Sequence, residues 1–135
     1  MQEAAAEAAK PPAPVKLKRV GFFRELRHSG GVGPSLHESR REAAQPHEDR
    51  ILAWLEAGHT FIASPGVVRD VLSEAEDAPI SGTPTILTDG VWAWPQDLLY
   101  YLRTYHVKLP GAFLEHLLGQ DFAPPEVVDV TGLEF

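Results

Sequence analysis

Three segments of the chain carry apolar residues at the three- and four-residue spacing of an amphipathic helix. Each begins at or just after a proline, namely Pro46, Pro95 or Pro110, a residue that suits the first helical turn. The apolar positions are Ile51, Trp54 and Leu55; then Leu98, Tyr101 or Leu102, and Tyr105; then Phe113, Leu114, Leu117 and Leu118. We therefore expect three helices, with Gly58 and Gly119 ending the first and the last.

Capping residues occur at two further positions. Ser35 with Glu38 three residues on has the spacing of a capping box, although the following segment has almost no apolar face. Ser64-Pro65 resembles a cap followed by proline at the first helical position. The four apolar residues after it, Val67, Val68, Val71 and Leu72, predict a helix of two or three turns.

Strands are predicted where apolar residues alternate with polar ones between turn residues. Residues 15 to 26 show a moderate alternation, and residues 59 to 63 are expected to form a short buried strand. The clearest signal is Thr-Ile-Leu-Thr followed by Asp89-Gly90 and Val-Trp-Ala-Trp, which predicts a hairpin with a two-residue turn. This hairpin leads directly into the helix after Pro95.

Together these patterns predict an α+β fold: a small mixed or antiparallel sheet with three to four helices, and a central β-hairpin followed by two helices. Residues 1–15 are rich in Ala and Pro and predict a flexible tail. Residues 16–120 form a single predicted α+β domain. Residues 121–135 are expected to act as a C-terminal arm or an edge strand.

The amino-acid composition excludes several classes of function for this chain. With 44% hydrophobic and 23% charged residues in 135, the chain has the balance of a globular domain, and the absence of Cys excludes thiol chemistry. No apolar run reaches the ~18 residues that cross a bilayer. The N-terminus lacks the pattern of a secretory signal. We expect a cytoplasmic protein with no membrane contact.

The formal net charge of -7 disfavours a nucleic-acid partner, because phosphate contacts supply most of the affinity in such complexes. An acidic surface would instead steer the protein toward a basic protein. The candidate acidic residues are Asp70, Glu74, Glu76 and Asp77, or the tail from Asp121. The alternative interpretation is that this charge serves solubility.

No motif for catalysis, cofactor binding or metal binding is present. The six histidines include no pair at the helical spacing of metal ligands, and no Gly-x-Ser-x-Gly elbow occurs. The Gly30, Gly31 and Gly33 cluster lacks the Lys and Ser or Thr of a phosphate loop. We predict a non-catalytic protein without cofactor or metal. An enzyme would need His28, His37 or His59 beside a carboxylate in a polar cleft.

Aromatic residues concentrate around the predicted hairpin and the helix after it. Trp92 and Trp94 share one face of the hairpin, and they either pack in the core or form an exposed patch of the kind that anchors partners. Tyr100 and Tyr101 point about 100° apart on a helix, so we expect Tyr100 to lie outside. The candidate binding residues are Trp92, Trp94, Tyr100, Asp70, Glu74, Glu76 and Asp77.

The pattern Asp89-Gly90-x-Trp92-x-Trp94-Pro95-x-Asp97-Leu98-x-Tyr100-Tyr101 resembles small uncharacterised bacterial proteins of the immunity type. The resemblance implies a bacterial protein-binding module and assigns no catalytic residue. We therefore expect a protein that occludes a partner protein, as an immunity or accessory factor. The alternatives are a structural or assembly component that docks through its terminal arms, and a small hydrolase-like enzyme using His and carboxylates. Self-association stays open.

Overall fold

The computed structural model describes residues 15–26 and 31–135. The predicted tail therefore lies, apart from Val15, outside the described residues. The strands are β1 (Val15–Lys16), β2 (Lys18–Arg19), β3 (His59–Ile62), β4 (Val68–Arg69), β5 (Ile80–Gly82), β6 (Ile86–Thr88), β7 (Trp92–Pro95) and β8 (Leu133–Glu134). The helices are α1 (Leu36–Ser39), α2 (Glu48–Glu56), α3 (Leu98–Tyr105) and α4 (Gly111–Gly119). Within the described ranges, no helix is both long and apolar enough to cross a membrane.

A mixed four-stranded sheet in the order β2-β7-β6-β3 forms the centre of the fold. Strand β7 pairs antiparallel with β6 and parallel with β2, while β3 pairs antiparallel with β6. Two smaller sheets each contain two strands, β1 with β8 and β4 with β5. The predicted α+β class is confirmed, as is the central hairpin, β6–β7, followed by helices α3 and α4.

The turn of the central hairpin is longer than the sequence predicted. Thr88 pairs with Ala93, so four residues separate the paired ends instead of two. The carboxylate of Asp89 accepts hydrogen bonds from the amides of Val91 at 2.8 Å and Trp92 at 2.7 Å. Gly90 has a φ of 96°, which few other residues adopt. The Asp side chain thus replaces part of the backbone pairing within the turn.

The main core lies between the sheet and helices α2, α3 and α4. Each of these elements contributes a large buried aromatic residue: Trp54 from α2, Trp94 from β7, Tyr101 from α3 and Phe113 from α4. The Phe113 ring meets the rings of Trp92 and Trp94 edge-on, with centroids 5.3 and 6.1 Å away. Through these ring contacts, Phe113 packs α4 against one face of the central hairpin.

The opposite face of the sheet carries a smaller apolar cluster. Ala93 faces it because side chains alternate along β7, and Leu17, Phe22 and Ile86 complete its buried part. Phe135 covers this cluster, with its ring 5.0 Å from that of Phe22 between centroids. The end of the chain therefore packs onto the sheet, next to the β1–β8 pair.

The helix predicted for residues 67 to 72 is wrong, because this segment forms β4 and a turn. Gly66 has a φ of 95°, which redirects the chain after Pro65. Arg69 then pairs with Ile80 of β5, and the Asp70 amide donates to the Pro79 carbonyl at 2.9 Å. Valine and other β-branched residues favour the strand conformation. Pairing with β5 therefore makes this segment a strand instead of the predicted helix.

The short helix α1 is capped from two directions. The Ser35 hydroxyl accepts a hydrogen bond from the Glu38 amide at 3.3 Å, as the capping pattern predicted. The carboxylate of Glu25 accepts from the amides of Leu36 at 2.8 Å and His37 at 2.9 Å. Burial raises the pKa of Glu25, but the hydrogen bonds from His37, Leu36 and Ser35 outweigh it and lower the pKa to about 2.

Candidate partner-binding surface

Strands β4 and β5 and the connection between them, residues 67–82, form a unit that we call the acidic hairpin. It carries one Arg against four Asp or Glu residues. Glu74, Glu76 and Asp77 are exposed, and Arg69 lies 4.0 Å from Asp77. The Arg69 guanidinium also donates to the Ala78 carbonyl at 2.7 Å. The tip therefore presents carboxylates that Arg69 offsets only in part.

Apolar side chains accompany these carboxylates on the acidic hairpin. Val67, Val71 and Ile80 expose 56%, 45% and 52% of their surface. Isolated exposed valines are common, but three large apolar residues within one small hairpin make a local apolar surface. The acidic hairpin thus combines apolar contact area with a negative rim, a combination that suits a partner with the opposite charge.

Three tyrosines of α3 attach the acidic hairpin to the core. The Tyr100 and Tyr105 hydroxyls both donate to Oδ2 of Asp70, at 2.8 and 2.5 Å. Oδ1 of Asp70 accepts from the Leu72 amide at 2.7 Å. The Tyr101 hydroxyl accepts from the Val71 amide at 3.0 Å. These contacts fix the backbone of residues 70–72 relative to α3.

The environment of these tyrosines favours their neutral form. Burial, followed by the hydrogen bond to Asp70 and its charge, raises the pKa of both Tyr100 and Tyr105. Burial is also the main cause that raises the pKa of Tyr101 to about 12. All three hydroxyls therefore keep their protons at neutral pH, and Tyr100 and Tyr105 remain donors to Asp70.

Asp70 does not belong to the acidic surface to which the sequence interpretation assigned it. The residue is 4% exposed, and its two carboxylate oxygens accept hydrogen bonds from Tyr100, Tyr105 and Leu72. The tyrosines that bury it lie 30 or more residues along the chain, so no local pattern could have indicated this position. Asp70 positions the acidic hairpin and is unavailable to a partner.

Trp92 and Trp94 are likewise buried, which corrects their assignment to an exposed aromatic patch. Both belong to the main core, and the Trp94 indole donates to the Leu55 carbonyl at 3.3 Å. Tyr100 is partly buried, and its hydroxyl is engaged by Asp70. The two tryptophans therefore pack in the core, as the alternative interpretation of the aromatic residues held.

Replacing Tyr105 with phenylalanine should loosen the acidic hairpin without unfolding the core. The variant removes one of two hydroxyl donors to the buried Asp70 carboxylate. We expect hydrogen exchange at the Val71 and Leu72 amides to accelerate about tenfold, the effect of losing one hydrogen bond to a charged group. Native-state exchange measured by NMR checks this. The Phe113 amide in α4 is the internal control, and equal acceleration there would contradict local loosening.

Among the described residues, two histidine–carboxylate pairs are present that the sequence did not indicate. Nε2 of His116 lies 3.0 Å from Oδ2 of Asp89, and Nδ1 of His106 lies 2.7 Å from Oε2 of Glu48. The Trp54 indole donates to the same Asp89 oxygen at 3.0 Å. Both pairs join helices or turns that are distant in sequence, so each contributes to packing between elements.

The alternative interpretation, an enzyme, would need His28, His37 or His59 beside a carboxylate in a polar cleft. His37 lies exposed on α1 and His59 begins β3, and neither ring forms an ion pair within the described part of the chain. His28 lies outside the described residues. Across residues 15–26 and 31–135, no group of three or more His, Asp or Glu side chains has the arrangement of a metal site.

The acidic hairpin is therefore assigned as a candidate surface from geometry and charge alone. Comparison with protein-family models, with curated proteins and with solved structures found no match to this chain.

Proposed function

We propose that the protein is a non-catalytic binding module that docks its acidic hairpin onto a basic surface of another protein and occludes it. One observation supports the proposal most directly: the acidic hairpin carries both exposed apolar residues and exposed carboxylates. The exposed apolar residues are Val67, Val71 and Ile80. Apolar contact supplies affinity, while the negative rim increases the rate of encounter and selects against acidic partners.

The attachment of the acidic hairpin to α3 also supports a docking role. Residues 70–72 of its backbone are held by Asp70 and by the hydroxyl of Tyr101, so this part of the hairpin has a fixed position relative to α3. A binding surface that is already ordered loses less conformational entropy on association. An immunity or accessory protein that blocks a basic active surface would use such a preformed surface. This role rests on the sequence resemblance together with the charge of the hairpin.

Reversing the charge of the hairpin tip should abolish binding. In the variant Glu74→Lys/Glu76→Lys/Asp77→Lys all three changes fall on exposed side chains, so the fold should be retained. The matched control, Glu38→Lys/Glu126→Lys/Glu134→Lys, makes the same change in net charge at exposed positions elsewhere.

The experiment is affinity purification from the native host at low salt with an N-terminal tag, because Phe135 packs against the core. We expect one stoichiometric basic protein with the wild-type chain and the control, and none with the hairpin variant. With the purified pair, the dissociation constant should rise at least about tenfold in the hairpin variant and with added salt. Equal loss in both triple variants, or a wild-type chain that purifies alone, would refute the proposal.

A further inference from the structure

A groove of about 340 Å³ lies between the start of α2 and the end of α4, and none of its lining residues belongs to the acidic hairpin. This volume falls within the range of small-molecule sites, which are concave and mostly apolar. Its apolar lining includes Ile51, Leu114, Leu118 and Phe122, and its charged lining residues are Arg41 and Glu115.

Part of the apolar lining is buried or packed against the core, and part of it is exposed to solvent. Ile51 is buried, and Leu114 packs against the main core. The Phe122 amide donates to the Leu117 carbonyl at 2.9 Å, which holds the turn after α4. Leu118 in contrast exposes 62% of its surface beside the groove. A ligand that covers Leu118 and Phe122 would remove apolar surface from water, which is favourable in proportion to the area covered.

Arg41 gives the groove a positive group with unused donors. Its backbone amide donates to the Tyr105 carbonyl at 2.9 Å, but its guanidinium forms no ion pair with any residue the structure describes. Arg41 also lines a second, polar cavity, together with His37, Arg40, Glu42 and Tyr105. Arginine presents donors in a planar fork that fits a carboxylate with two parallel hydrogen bonds.

We propose that this groove binds a small amphipathic carboxylate, with its apolar body over Leu114, Leu118 and Phe122 and its carboxylate on Arg41. The aromatic ring of Phe122 favours an aryl or short alkyl body, and the volume limits the ligand to a compact molecule. Glu115 also borders the groove, and its negative charge opposes the ligand's carboxylate. The two charged lining residues therefore act on affinity in opposite directions.

The test is a titration of the full chain with sodium 4-phenylbutyrate, followed by NMR shifts of the backbone amides. We expect saturable shifts confined to residues that line the groove. Arg41→Gln should weaken binding about tenfold, the loss of a charged hydrogen-bonded pair. Glu115→Gln should strengthen binding about threefold by removing a repulsive charge. Arg103→Gln, an exposed arginine paired with Glu56 at 3.0 Å, is the control and should leave the affinity unchanged.

Neutral 4-phenylbutanol separates the contribution of charge from that of the apolar body. It should bind more weakly than 4-phenylbutyrate, and Arg41→Gln should not change its affinity. Opposite effects of Arg41→Gln and Glu115→Gln cannot arise from general damage to the fold. The proposal is overturned if 4-phenylbutyrate causes no saturable shifts at the groove, if both compounds bind equally, or if Arg103→Gln weakens binding as much as Arg41→Gln.

Discussion

Replacing Asp89 with alanine is expected to lower the free energy of unfolding by about 3–5 kcal/mol, the range for breaking a buried charged network. The buried carboxylate of Asp89 accepts four hydrogen bonds. They come from the Trp54 indole at 3.0 Å, the His116 ring at 3.0 Å and the amides of Val91 at 2.8 Å and Trp92 at 2.7 Å. Alanine would leave each of these groups without its acceptor.

The effect should be large because the four donors come from three parts of the fold. Trp54 lies on α2, His116 lies on α4, and Val91 and Trp92 lie in the turn of the central hairpin and at the start of β7. Loss of the carboxylate therefore weakens the junction of two helices with the sheet and also releases the turn. No other carboxylate that the structure describes joins two helices to the central hairpin through hydrogen bonds of this kind.

Urea unfolding at pH 7, followed by tryptophan fluorescence, measures this difference. Asp77→Ala is the matched control, since the Asp77 side chain is fully exposed and an exposed ion pair contributes about 0–1 kcal/mol. Asp89→Asn should fall between the wild type and Asp89→Ala, because an amide keeps one oxygen acceptor. A loss below about 1 kcal/mol for Asp89→Ala would show that the network contributes little.

The second large effect concerns Asp97, at the start of α3. Its side chain is buried beside Ser81 of β5, which is itself a buried polar residue. Burial raises the pKa of Asp97 to about 6, although its own backbone amide and the nearby Ser81 hydroxyl act to lower it. The carboxyl therefore carries a charge at pH 7 that its surroundings solvate poorly.

The raised pKa makes the folded state bind more protons than the unfolded state between pH 3.8 and about 6. The stability contributed by this group is thus complete below the unfolded pKa, falls as the pH rises through that window, and stays lost above it. At about 1.4 kcal/mol for each pKa unit, the loss approaches about 3 kcal/mol. Asp97→Asn should remove this dependence and unfold at higher urea concentration than the wild type at pH 7.

The measurement is urea unfolding of both proteins at several values between pH 4 and pH 7. The difference in unfolding free energy between Asp97→Asn and wild type should grow in favour of the variant as the pH rises. Glu126→Gln, at an exposed position, should show a constant difference near zero. A difference between Asp97→Asn and wild type that does not change with pH would contradict the raised pKa.

Local sequence patterns predicted the elements whose stability is encoded in consecutive residues. The apolar spacing of Ile51, Trp54 and Leu55 predicted α2, and all three side chains are buried. Asp89-Gly90 predicted a hairpin because both residues favour tight turns, and Asp89 does bond the turn amides. The central hairpin and the helices that follow were predictable because each requires only near neighbours and a proline boundary.

The candidate surface depended on contacts that no local pattern contains. The valines at positions 67, 68 and 71 fit a helix or a strand, and pairing with β5 decided between them. The sequence does not distinguish Asp70 from its acidic neighbours, because the α3 tyrosines that bury it lie far along the chain. The groove was not predictable for the same reason, since Arg41 and Leu118 line one cavity although they lie far apart in the sequence.

The parallel pairing of β1 with β8 has a consequence for how the protein is made. Val15 pairs with Leu133, and the adjacent β2 pairs with Trp92 and Ala93 of β7. On the ribosome, an early strand must wait for partners that are synthesised much later, and the last pair forms only after residue 134 has left the exit tunnel. During that interval the first strands keep unpaired edges, so nascent chains are open to wrong pairing for most of their synthesis.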